Sequence, residues 1–305
     1  MLNFTSNLLI KSYNYDKLNF QINEEKVDGK IIGDIDFVFK NKSIFTKTNI
    51  INRIKTRKFS TIYTNFRSTD SCLIFDQNYL LMANYRDNCL TLYDKNFNQF
   101  QKIDKFNGFN INPFGVTTNN LDRIYVTDRD NHRIFMFDYK FKIISVIGSR
   151  GSNQYQFQYP RGICFAANFL FVCDWLNKRV EKYSSSLLYK NTIKLEYNPI
   201  QIKTVNGTAC IRNDKNSIYF YDLINFQLKK VYDTHNGSIY SIDKYFYEYY
   251  HISNKFYCYN ENGTLLHEIE GFVEGEIKMN EWASLVYFNG SFIVLPETTP
   301  NMIVF

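Results

Sequence analysis

The stretch PFGVTTNNLDRIYVTDRDNHRIFMFD, residues 113–138, decides how this chain is read. Apolar and polar residues alternate through FGVTTN, RIYVTD and RIFMFD, and Asn119-Asn120 and Asp130-Asn131 interrupt the runs. Alternation with period two, broken by turn residues, is the pattern of antiparallel strands joined by tight turns. A fourth run, KIISVIG, follows from Lys142. The same four-part pattern then recurs as RGICFAA, FLFVCD, RVEKYS and NTIKLE between residues 161 and 196. Nothing in the chain reads as a long helix.

The third run of each unit ends on an aromatic residue, and those endings recur along the chain. They are Tyr93, Phe137, Tyr183, Tyr221, Tyr259 and Phe305, separated by 44, 46, 38, 38 and 46 residues. A repeat of roughly 40 residues carrying four strands is one blade of a propeller. The fold expected is therefore all-β, a six-bladed β-propeller. Its last copy stops at a third strand, and FSTIYTNF, Phe59–Phe66, stands just before the first inner strand, SCLIFD. Borrowing that segment as the missing outer strand would close the ring from the N-terminal side and remove an exposed sheet edge. Residues 59–305 form the expected propeller domain, 247 residues or about 41 per blade. Residues 1–58 form an N-terminal extension, basic towards its end, with strand-like LNFQI and IIGDIDFVF on either side of NEEKVDGK.

Composition narrows the function classes. The extension holds eleven basic and six acidic residues of the chain's 36 and 30, which leaves 25 against 24 in the propeller, a net charge of +1. A body so nearly neutral lacks the basic face that nucleic-acid binding ordinarily needs. The acid-free run from Phe37 to Thr69 is the better candidate for that chemistry. The six cysteines include no C-x-x-C pair and the four histidines are scattered, so no zinc module, no metal site and no cofactor is expected. Cysteines lying inside strand-like runs point to a reducing compartment, and hence to the cytoplasm. The N-terminal apolar run is broken by Asn, Thr and Ser, so neither a signal peptide nor a membrane span is expected.

At P-F-G-V from Pro113, I-Y-V-T-D from Ile124 and N-H-R-I from Asn131, the sequence resembles the NHL repeat. Pro160, Gly162, Ile163, Val172, Asp174, Asn177, Arg179 and Val180 follow the same pattern. Other copies depart from it: the Asp and Arg positions read as Asn84 and Cys89, Arg212 and Ser217, and Tyr250 and Lys255. The motif residues Pro113, Gly115, Asp128, Arg133, Pro160, Gly162, Asp174 and Arg179 are expected to be architectural. The resemblance extends to the C-terminal domain of the tripartite-motif ubiquitin ligases, where the propeller is the recognition end and zinc modules act separately. It implies a noncatalytic protein-binding module in a ligase-like context, with RNA binding as the alternative and a propeller lyase or hydrolase as a weaker one.

In a propeller, the turn between second and third strands and the crossover to the next blade open on one face. That face should gather Tyr85, Arg86, Arg129, His132, Tyr155, Arg161, Trp175, Lys178 and Arg212. Aromatics interleaved with arginines are the composition of a recognition surface. No catalytic set is expected among them, and the four histidines share no position between copies.

Overall fold

The computed structural model describes residues 25–27, 30–32, 60–63, 70–74, 78–104, 106, 108–215, 217–233, 237–242, 244–250, 255–269, 283–288, 291–296 and 301–304. The chain divides into two compact units at Ile54/Lys55. In the first, β1 (Glu25–Val27) and β2 (Lys30–Ile32) pair antiparallel. The second unit is an all-β propeller.

Its strands are β3 (Ser60–Tyr63), then β4 (Asp70–Ile74), β5 (Tyr79–Asn84), β6 (Cys89–Tyr93) and β7 (Gln99–Ile103). There follow β8 (Pro113–Thr118), β9 (Ile124–Asp128), β10 (Arg133–Phe137), β11 (Ile143–Ile147), β12 (Pro160–Ala166), β13 (Phe169–Asp174), β14 (Arg179–Ser184) and β15 (Tyr189–Lys194). Next come β16 (Pro199–Val205), β17 (Thr208–Asn213), β18 (Ser217–Asp222), β19 (Leu228–Asp233), β20 (Ser238–Ile242), β21 (Tyr245–Tyr250), β22 (Lys255–Asn260) and β23 (Leu265–Ile269). The series closes with β24 (Ala283–Phe288), β25 (Ser291–Pro296) and β26 (Asn301–Val304).

The expectation of six blades is corrected to five made from one unbroken stretch each: β4–β7, β8–β11, β12–β15, β16–β19 and β20–β23. A further four-stranded sheet is of mixed origin. In it β24, β25 and β26 continue outward to β3, with Asn301 opposite Tyr63 and Val304 opposite Ser60. The first strand of each sheet packs against the first strand of the next.

Within a sheet, burial follows distance from the centre. The second and third strands, such as YLLMAN and CLTLY, are buried almost throughout because both of their faces meet a neighbouring sheet, so alternation gives way to continuous apolar sequence. Fourth strands such as LKKVYD are largely exposed. The core consists of layers between successive sheets. Phe106, Val126, Phe135 and Phe137 pack with Leu81 and Leu92 between the first two sheets; Tyr125, Phe157, Leu170 and Tyr183 fill the next layer. Leu80, Met82 and Tyr93 pack with Val286, Phe288 and Ile293, joining the first sheet to the mixed one. Each fully buried ring contributes roughly 2–3 kcal/mol by leaving water.

Close approach of the inner strands explains the motif glycines. A Cβ at Gly115 would strike the Arg161 carbonyl oxygen, and one at Gly162 would lie 2.7 Å from Gln201 Cα. Only a residue without a side chain lets consecutive inner strands come this near.

One charged tie spans the middle. Lys203 Nζ, on β16, lies 2.9 Å from Asp70 Oδ1, on β4, and both side chains are almost wholly withdrawn from solvent. The other carboxylate oxygen of Asp70 accepts from the Val116 backbone N–H at 3.4 Å.

Candidate binding face

The face is built on turns that the repeated motif holds in place. Asp128, fully buried at the end of β9, accepts from Arg133 Nε at 2.7 Å, Asn131 Nδ2 at 2.8 Å and the backbone N–H of Asn112 in the preceding crossover at 2.7 Å. Asp174 repeats this with Arg179 Nε at 2.8 Å, Asn177 Nδ2 at 2.7 Å and the Gln158 N–H at 2.7 Å. Arg179 then donates to the carbonyls of Ser152 at 2.7 Å and Gln156 at 2.7 Å. Motif Asp, Asn and Arg thus fasten each crossover to the turn beside it. Burial raises the pKa of Asp174 against the opposing pull of Asn177, the Gln158 N–H and Arg179. Burial likewise raises that of Glu181, which lies 2.9 Å from Arg179 and is held down by it and Thr192.

In each of these turns the residue before the third strand takes a left-handed backbone: Asn88 at φ 53°, His132 at 56° and Lys178 at 50°. That geometry reverses the chain in few residues.

The fourth unit shows a corrected register. Pro113 pairs with Asp128 and Pro160 with Asp174, and the corresponding partner of Pro199 is Asn213, not Arg212. Asn213 Oδ1 accepts the N–H groups of Lys215 and Ser217, doing locally what the aspartates do elsewhere. Arg212 consequently points inward. It is 2% exposed, and burial lowers its pKa to about 10 while Glu248 favours its charge. It does not belong to the loop face.

Two other expected residues are also taken up by packing. The His132 Nδ1 accepts the Tyr159 backbone N–H at 3.1 Å, and its ring meets the Tyr159 ring edge-on at 4.6 Å. Tyr155 packs among Tyr183 and Tyr189, and its hydroxyl accepts the Tyr189 N–H at 3.0 Å. Arg86 and Lys178 are exposed.

What converges is a belt of alternating guanidinium and aromatic groups drawn from three successive sheets. The Arg129 guanidinium carbon lies 4.6 Å from the centre of the Tyr85 ring, 5.7 Å from Phe114 and 5.8 Å from Tyr159. The Arg161 guanidinium lies 5.2 Å from Phe114 and 3.6 Å from Trp175. Cation–π contacts of this kind contribute about 0.5–2 kcal/mol each and hold the flexible arginines in place. The Thr127 hydroxyl donates to the Arg161 carbonyl at 2.6 Å and so locks one sheet's belt residue to the next. Acidic residues end the belt. The Tyr85 hydroxyl donates to Asp130 Oδ2 at 2.9 Å, and Trp175 Nε1 donates to Asp214 Oδ2 at 3.1 Å.

Phe114 and Tyr159 are site residues that the loop argument missed: Phe114 lies on an inner strand, and Tyr159, at the end of a crossover, was not singled out. A signal existed. Phe114 and Arg161 occupy the same place in the two Pro-x-Gly motifs, so equivalent positions of adjacent inner strands had to lie side by side.

Among the described residues no three His, Cys, Asp or Glu side chains gather as a metal site would require. Nor is any helix among them long and apolar enough to cross a membrane. On the opposite face, a shallow cavity of about 490 Å³ is lined by residues including Phe169, Lys182, Leu223 and Ile224.

Residues 111–137 match the NHL repeat family, the span that carries Asp128, Asn131 and Arg133. No curated protein sequence matches the chain. Among solved structures, the chain is similar to virginiamycin B lyase from Staphylococcus aureus, at a TM-score of 0.58 and 11% identity, over 81% of this chain and 98% of that one. It is similar also to the β-propeller domain of Cps50 (Swd1) from Myceliophteria thermophila, at a TM-score of 0.53 and 10% identity, over 80% and 97%. At such identities the likeness is one of fold.

Proposed function

We propose that this chain is a noncatalytic recognition propeller that binds a protein partner through the belt of Tyr85, Phe114, Arg129, Tyr159, Arg161 and Trp175. The observation that carries the reading is the convergence of those six side chains from three separate sheets, in the aromatic and arginine composition that dominates interface hot spots. In this reading the sheets form a closed ring of six, supported by the pairing of β26 with β3 and by the packing of β24 against β4. The ligase-like context rests on the resemblance to the tripartite-motif proteins, and chemistry would come from other modules. The compartment proposed is the cytoplasm, in keeping with the buried cysteine thiols among the described residues, of which Cys89 is pushed by burial to about 11 and Cys164 to about 12.

RNA is the second reading, favoured by guanidinium groups stacked on aromatic rings. The acidic residues at both ends of the belt weigh against an extended polyphosphate. The lyase fold neighbour supplies a third reading, which no cluster of candidate ligands among the described residues supports.

Affinity capture from cell extract, with and without RNase, tests the proposal. Partners should survive RNase and should weaken with Trp175→Ala by about 2 kcal/mol or more, the size expected for a central aromatic anchor. RNase-sensitive partners, or partners indifferent to both Trp175→Ala and Arg129→Gln, would overturn it.

A further inference from the structure

The aromatic faces of the belt are already covered. Arg129 and Arg161 lie over the rings of Tyr85, Phe114 and Trp175, so the belt is not an empty aromatic cage awaiting a cation. What it offers instead is the edge of a guanidinium. Of the five N–H donors that the Arg129 guanidinium carries, the buried Nε has no hydrogen-bond partner among the described residues. Its nearest acid is Asp130, whose Oδ1 lies 3.5 Å from Nε and whose Oδ2 receives the Tyr85 hydroxyl. A planar donor set, fixed by stacking and one-fifth exposed, matches the two oxygens of a carboxylate.

Resting on the recognition reading above, we propose that the partner presents a short acidic segment, in which one or two Asp or Glu carboxylates seat on Arg129 beside Arg161. The ends of the belt fix how short it is. Asp130 at one end and Asp214 at the other would repel further negative charge, so the segment must be flanked by residues that are not acidic. The same pattern disfavours a nucleic acid, whose phosphates continue at every step.

The test pans a phage-displayed library of short random peptides on the full chain, alongside a random single-stranded RNA pool. Selected peptides should carry an isolated Asp or Glu, and synthetic versions with the amide in its place should bind at least about tenfold more weakly, since the contact is charge-assisted. Arg129→Gln, in a chain that still unfolds cooperatively, should remove that preference. Selected peptides that lack acids, an amide that binds as well as its acid, or the absence of any selected peptide would each overturn the proposal. If binding is indifferent to the acid yet lost in Trp175→Ala, the belt remains the recognition face and only its acidic preference fails. Selection of RNA whose affinity drops steeply with salt and with Arg129→Gln would overturn both readings. If Trp175→Ala and Arg129→Gln are both silent toward the selected peptides, the face itself is wrong.

Discussion

His132 shows how one residue couples solution conditions to the belt. Its ring is 9% exposed, and its Nδ1 is the acceptor that fixes the backbone of Tyr159, a wall of the Arg129 site. Burial lowers its pKa below the ordinary 6.5, helped by Arg150 and opposed by Asp130, Asp174 and Asp128. The unfolded chain therefore takes up the proton first. The stability conferred by neutral His132 is fully present above about pH 6.5 and is lost as the pH falls towards the depressed folded value. Melting temperature should accordingly drop more between pH 7.5 and 5.5 in the natural protein than in His132→Asn, which tolerates the left-handed backbone and keeps an acceptor for the Tyr159 N–H. Equal slopes in the two proteins would show that His132 does not titrate in this way.

At the scale of elements, β3 is the strand whose role is most exposed to test. It lies outermost in its sheet and pairs on one side only, with β26. A chain beginning at Lys58 should melt close to the full chain, whereas one beginning at Thr69 should melt lower by about 5 °C or more, as the loss of a few kcal/mol implies for a domain of this size. Coincident melting curves would mean that β3 contributes nothing. The strands themselves were legible because alternation and turn chemistry are local: PFGVTT, IYVTD and RIFMF stand where period two puts them. The Asp-to-Arg spacing was equally readable where both ends persist, as in Asp128–Arg133. It failed in the fourth unit, where a shorter turn moved the motif position to Asn213 and left Arg212 facing the interior. The belt was half legible. Turn residues such as Tyr85 and Trp175 announced themselves, but the burial of His132 and Tyr155 depends on neighbours many residues away, which no local pattern encodes.

For the whole molecule, the tie between Lys203 and Asp70 joins the first strand of one sheet to that of the sheet three places on in chain order. Replacing Lys203 by Met removes the cation beside a buried carboxylate and should lower stability by about 3–5 kcal/mol, measured by chemical denaturation. Adding Asp70→Asn should restore most of the loss, because it removes the charge and keeps an acceptor for the Val116 N–H. A double variant as unstable as the sum of its single changes would show that the pair does not act as a unit. The pairing of Ser60 with Val304 sets a different kind of demand, one of timing. Val304 follows Ser60 by 304 − 60 = 244 residues. A ribosome working at ~5–20 residues per second exposes β3 for roughly 12–50 s before its partner strand exists. Throughout that interval a sticky strand edge rides on the nascent polypeptide, open to any other strand it meets. Early synthesis of β3 and late synthesis of β26 thus make the closing pair of this sheet the one that waits longest for its partner.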